Sequence, residues 1–348
     1  MQIQHWSYQY PSLNIDGLFK SIPEDFQVTE LLGYEPIGEG EHIYLWVRKT
    51  GLNTAFLAEQ IAKYAKLPLR AVTYAGGKDK HALTEQWFGV HLPGKTEIDW
   101  SNFAVQGAEI LRSIRHNKKL RTGVLKANRF KITIRELSST TGLETRLQQL
   151  ALQGVPNYFG EQRFGDTRYD PKGGNLILAE KMIAGEEIRN RNKRSMAISA
   201  LRSWLFNEVL HHKVQNSTLV TPQIGDIMQL AGSNSFFCVD EINDKLLHRL
   251  KERDIFISAP LWGSGHLSSK DSVLEFEKNF ASKYENITQT LESIGLKQER
   301  RAAILYPSDL YWTVNNNNLT LEFSLPSGAF ATSVVRELLN IQKNIVTG

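Results

Sequence analysis

Tyr74-Ala75-Gly76-Gly77-Lys78-Asp79-Lys80-His81-Ala82-Leu83-Thr84-Glu85-Gln86 sets one carboxylate between two lysines, directly after a pair of glycines. Flanking ammonium groups favour the charged form of Asp79, and the glycines let the chain turn sharply and bring backbone close to a ligand. A placed, ionised aspartate is suited to nucleophilic work. The same Gly-Gly-Lys-Asp-Lys composition also makes an ordinary solvated turn, so the surrounding chain has to decide between the two.

Working outward, Ala71–Tyr74 and Trp87–Val90 read as short strands, which would mount Asp79 between two rigid segments. Upstream, Asn53 or Thr54 caps a helix through Leu57, Ile61, Tyr64 and Ala65, whose spacing gives one apolar face. Downstream, Phe130, Ile132 and Ile134 alternate with Lys131 and Thr133, the period of a half-buried strand. Leu143, Leu147 and Leu150 mark a helix that ends near Gly154, with Pro156 as a stop. Residues 155–302 carry a helix from about 195 to 211, a loop at 166–175 and a long helical pattern from Val273 to about Leu296, enough for a second core. After the Asn315–Asn318 turn, Leu319, Leu321, Phe323 and Leu325 alternate as a returning antiparallel strand, and a last helix is expected from Ala331 to Ile341.

With 348 residues and 41% hydrophobic content, two domains are the natural prior. The expected split is discontinuous: residues 1–154 with 303–348 as one domain, and residues 155–302 inserted into it. No apolar run is long enough to span a bilayer and no secretory leader is visible at the start of the sequence, so a cytoplasmic, membrane-free protein is expected. Cys238 is the only cysteine, which rules out an internal disulfide or a thiolate cluster, and the nine histidines show no metal-ligand spacing. The net charge of +4 is mild, but it is unevenly placed. Arg112, Arg115, Lys118, Lys119, Arg121, Lys126, Arg129 and Lys131 follow one another with no acid between, and Arg189–Arg194 forms a second basic stretch. Two such stretches, interleaved with aromatic residues, point to a polyanionic partner.

Four ordered blocks carry a family resemblance. They are Pro23–Glu30 followed by Gly38-Glu39-Gly40-Glu41-His42, the Gly76–Gln86 stretch, Val155–Gly165, and Leu325–Leu338. Together they resemble the tRNA pseudouridine synthase D (TruD) family over nearly the whole chain. That resemblance implies an α+β fold, a pseudouridine synthase core with a mixed, mainly antiparallel sheet interrupted by an inserted α/β domain. It also implies isomerisation of uridine to pseudouridine at position 13, in the D-stem of tRNA, by a monomer without cofactor or metal.

The implied chemistry needs a carboxylate near ribose C1′ and uracil C6, as a retaining glycosidase does. Asp79 is the expected nucleophile; Lys20, Lys78 and Lys80 are the candidates for the cation that keeps it ionised, and the resemblance implies Lys20 as its basic partner. A base lifted from its stack needs aromatic walls, and the resemblance implies Phe26, Phe130 and Phe330 for them, with Asn128, which can offer both donor and acceptor, at the uracil edge. Lys78, Lys80, Arg129, Arg163 and Arg194 are the expected RNA contacts. The rival reading is a non-catalytic RNA-binding protein, which gains nothing from a carboxylate facing phosphates. A nucleoside hydrolase would need a second carboxylate, and Glu85 is the nearest. A phosphate-binding loop fails because Gly76-Gly77-Lys78-Asp79 lacks the upstream glycine and the following Ser or Thr.

Overall fold

The computed structural model describes every residue except 2, 4, 5, 95, 166, 168, 169 and 344–348, so part of the expected 166–175 loop lies outside the described residues. The chain begins with β1 (Asp16–Phe19), β2 (Phe26–Leu31), β3 (His42–Lys49), α1 (Thr54–Tyr64), β4 (Val72–Tyr74), β5 (Leu83–His91), β6 (Ala108–His116), β7 (Ala127–Arg135) and α2 (Leu143–Gln153). Its middle holds β8 (Val155–Pro156), α3 (Gly174–Ile183), α4 (Arg191–Gln215), β9 (Ile227–Leu230), β10 (Phe236–Cys238), α5 (Asp244–Lys251), β11 (Ile255–Leu261), α6 (Asp271–Lys283), α7 (Glu285–Ser293), β12 (Glu299–Ala302) and β13 (Ile304–Leu305). It closes with β14 (Ser308–Asn315), β15 (Asn318–Pro326), α8 (Ala331–Val335) and β16 (Asn340–Lys343).

Two compact units result. One gathers residues 1–12, 152–306 and 329–337, and the other residues 13–151 and 307–328 with the segment from 338. The expected division differs from this at 1–12 and 329–337, which group with the middle of the chain, and by a few residues at 152–154 and 303–306. The reason is local packing: Trp6 stacks on Tyr158 and lies against Phe164 at ring separations of 5.8 and 5.6 Å. Glu337 Oε2 accepts the backbone N–H groups of Gln9 and Tyr10.

The second unit is built on a ten-stranded sheet whose main path runs β14-β15-β7-β2-β5-β3-β6, with β1, β4 and β16 paired off that path. Its pairings are antiparallel except β1 with β16 and β2 with β5, so the sheet is mixed and mainly antiparallel. Asn316 and Asn317 take left-handed backbone angles (φ 48° and 57°) and close the β14–β15 hairpin in two residues, a geometry that asparagine tolerates well. On one face Leu57, Ala58, Ile61 and Ala62 of α1 pack on Ile43, Leu45, Val47, Phe88 and Val90. The other face buries Tyr44, Trp87, Leu32 and Leu120.

The first unit has its own core around Phe159, Phe164, Leu201, Trp204, Phe206 and Leu210, a four-stranded sheet β10-β9-β11-β12 and a two-stranded β13-β8. Two expectations need correction. The long helical pattern from Val273 is two helices, because Tyr284 breaks the run (φ −120°, ψ 36°) and turns its ring onto Trp204 and Phe280. The expected last helix stops after Val335. The chain beyond it leaves helix geometry because Asn340–Lys343 pairs in parallel with β1, and the Asn340 N–H donates to the Ile15 carbonyl at 2.8 Å.

Candidate active site

The face of the large sheet that α1 covers at one end turns polar at the other. Cross-strand register puts Phe26, Val28 and Glu30 of β2 level with Ile132, Phe130 and Asn128 of β7, and Val28 level with Thr84 of β5. On β3, Val47 and Lys49 lie level with Gln86 and Thr84. Residues level across a ladder share a face, so Glu30, Lys49, Thr84, Gln86 and Asn128 form one polar patch. All five side chains are buried.

The loop between β4 and β5 carries Asp79, whose side chain is only 11% exposed. Its Oδ2 accepts the ammonium of Lys20, and its Oδ1 accepts the His81 backbone N–H at 2.9 Å. Lys20 arrives from the end of β1 with φ 59°, and its Nζ lies 4.0 Å from the centre of the Phe26 ring. The Phe26 ring stabilises that cation, and the cation stabilises the carboxylate, so three separated segments of sequence converge.

A second layer lies behind Asp79. Glu30 Oε1 pairs with Lys78 Nζ at 2.5 Å, and Glu30 Oε2 accepts the Trp87 N–H at 2.8 Å. Burial pushes the Glu30 carboxyl up from its ordinary value, and Lys78 pulls it back only in part. The Lys49 ammonium, 1% exposed, donates to the carbonyls of Leu52 (3.0 Å) and Asp79 (3.1 Å). Burial lowers its pKa to about 8, with Asp79 opposing that shift.

Of the expected site residues, the structure brings Asp79, Lys20 and Phe26 together directly. Phe130 is buried between Phe26 and Phe323, at 6.0 and 5.6 Å, so its ring belongs to a continuous aromatic row that Phe19 extends. Asn128 is buried on the polar face, and its Oδ1 has no hydrogen-bond partner among the described residues. Lys78, expected at the RNA, is instead turned inward: its side chain is 10% exposed and its charge sits on Glu30, because that buried carboxylate needs a cation. Lys80 is exposed, and Arg129 is exposed beside Glu322. Glu85 points away onto Arg48, at 2.8 Å, and is no second catalytic carboxylate.

Phe330, Arg163 and Arg194 belong to the other unit. There Phe330 is half-buried, edge-on to Phe159 at 5.8 Å, with the Arg163 guanidinium 5.6 Å from its ring. Arg163 donates to Ser199 Oγ at 2.8 Å, and burial lowers its pKa. Arg194 is exposed in the first turn of α4, whose start Asn190 caps.

Glu30 and Lys49 were missed in the sequence, though a signal was present. Phe26, Val28 and Glu30 alternate as one inward row, and Ile43, Leu45, Val47 and Lys49 as another. An ionisable residue that continues an apolar row is either a misjudged strand end or a buried functional group.

Among the described residues no three or more His, Cys, Asp or Glu side chains are placed to hold a metal ion, and no helix is long and apolar enough to cross a membrane. A sheet with this topology, carrying an aspartate on a loop between two of its strands, has the build of a pseudouridine synthase core. The profile of the tRNA pseudouridine synthase D (TruD) family matches residues 2–186 and 179–338. A protein of Pseudoalteromonas atlantica named tRNA pseudouridine synthase D is 62% identical over 342 residues, covering 98% of each chain. One of Aeromonas salmonicida with the same name is 45% identical over 341 residues, covering 98% of this chain and 96% of its own. A crystal structure of a candidate family protein from Methanosarcina mazei shares the fold with a TM-score of 0.70 at 21% identity, over 95% of each chain. The chain therefore belongs to the tRNA pseudouridine synthase D family, and with it to the isomerases.

Proposed function

We propose that this enzyme converts a uridine to pseudouridine at position 13, in the D-stem of tRNA, with Asp79 as nucleophile on a base lifted out of its stack. The observation that carries this reading is the contact of the Lys20 ammonium with Asp79, set against the Phe26 ring and mostly out of water. Opposite charges held together there offset the cost of taking the carboxylate from solvent. The reaction breaks the N1–C1′ bond, joins C1′ to C5, releases the C5 proton to solvent and leaves a proton on N1. Attack at C1′, addition at C6 and elimination to a glycal all start from the same carboxylate.

In this reading Phe26 and Phe130 wall the base, and the Asn128 amide meets its edge. Phe330, in the other unit, is a proposed substrate contact, so Phe330→Ala should fold and turn over slowly. Lys80, Arg129, Arg163 and Arg194 are proposed RNA contacts, and residues 155–302 a proposed RNA-binding insertion. The site acts as a monomer in the cytoplasm, without a cofactor. The test is tritium release from tRNA transcripts labelled at uracil C5, with the modified position mapped. Release by the wild type and none by Asp79→Asn supports the reading. Tight tRNA binding without release from any transcript replaces it with a non-catalytic RNA binder.

A further inference from the structure

The turn that joins β3 to α1, residues 49–54, makes three successive contacts with three successive residues of the Asp79 loop. Thr54 Oγ1 accepts the Lys78 N–H at 3.0 Å, Lys49 Nζ donates to the Asp79 carbonyl at 3.1 Å, and the Gly51 N–H donates to the Lys80 carbonyl at 3.0 Å. We propose that this turn is a positioning cradle for Asp79, and that Lys49 is its central residue.

Three observations support the assignment. The first is completeness. Residues 78, 79 and 80 each have a main-chain group tied to the same turn, so the loop is fixed below Asp79 while Lys20 and the His81 N–H fix its carboxylate. The second is rigidity of the cradle itself. Thr54 also donates to the buried Gln86 Oε1 at 3.0 Å, and Lys49 ties the turn to itself through Leu52. The third is expense. Taking an ammonium out of water costs more than burying a neutral side chain, even on a polar patch that holds Glu30, Thr84 and Gln86. Lys49 does not need to touch substrate to matter. It holds the backbone that sets the direction of the Asp79 side chain, and an error of about 1 Å in a nucleophile can cost on the order of 100-fold in rate.

This inference rests on Asp79 being the nucleophile. The test is therefore run on wild type, Asp79→Asn, Lys49→Met and Thr54→Val together, under single-turnover conditions on one tRNA transcript. Tritium release, tRNA Kd and amide hydrogen exchange of the peptide spanning 75–86 are measured for each. Lys49→Met is expected to slow release by about 10- to 100-fold, to leave Kd within about threefold, and to speed exchange in that peptide more than in the peptides of α1. Wild-type release from folded Lys49→Met, or equal losses in rate and affinity, overturns the cradle. Should Lys49→Met fail to fold, Thr54→Val decides: about tenfold slower release at unchanged Kd supports the cradle, and an unchanged rate overturns it. If Asp79→Asn releases tritium like wild type, the nucleophile assignment falls, whatever the Lys49 result.

Discussion

Lys20 adopts a left-handed backbone angle that costs a residue with a side chain about 1–2 kcal/mol, and it does so at the point where its ammonium meets Asp79. Strain kept at such a place argues for use. Lys20→Met is expected to lower the single-turnover rate about 100-fold while leaving tRNA affinity nearly intact; equal losses would recast it as an RNA contact. Lys49 gives a pH signature of its own. Its folded pKa of about 8 lies below the ordinary 10.5. Between those values the unfolded chain binds more protons than the folded one, so this group adds stability as pH rises. Its contribution is complete above 10.5 and is lost as pH falls through 8. Relative to Lys49→Met, the wild type should gain roughly 1 kcal/mol between pH 8 and 9, measured as the difference in urea unfolding free energy. A flat difference would place the ammonium in water.

At the scale of elements, β2 and β5 are joined by more than their ladder, since Glu30 on β2 accepts the Trp87 N–H of β5 and pairs with Lys78 ahead of it. Glu30→Gln leaves that lysine without its counter-charge and should cost about 3 kcal/mol in urea unfolding, whereas the double change Glu30→Leu with Lys78→Met should recover most of it. A loss under about 1 kcal/mol for the single change would mean that water reaches the pair. This same pair marks how far the sequence could be read. The Asp79 loop, the flanking strands, α1 and the asparagine hairpin were legible because turn residues and strict alternation are local signals. Glu30 and Lys49 were legible only in part, because an alternation row shows which face a side chain takes but not what meets it there. The inward partner of Lys78 was not legible for a related reason: Glu30 lies 48 positions upstream, as 78 − 30. The end of α8 was also hidden, since Ile15, which draws Asn340 into a strand, sits at the far end of the chain.

For the molecule as a whole, Trp6 and the other described residues before Leu13 are structural members of the unit they join. Trp6 is 5% exposed and its indole N–H donates to the buried Glu208 at 2.9 Å. Trp6→Ala should cost about 3–5 kcal/mol, and hydrogen exchange should locate the loss in the peptides of α4 rather than in β3 and β5. Equal loosening of both units would show that they unfold as one. The threading of the large sheet also sets a timetable for its birth. Strands β2, β3, β5 and β7 are complete once residue 135 has been made, but β15, which pairs with β7, follows about 180 residues later. At ribosomal speeds of about 5–20 residues per second, that leaves one edge of β7 open for roughly 10–40 seconds. An open edge invites pairing with another nascent chain. Arg129 and Lys131 are exposed on β7 and later pair with Glu322; until β15 arrives, such charges disfavour pairing with a second copy of the same strand. Arg129, a proposed RNA contact, would thus first serve as a guard of an unfinished sheet.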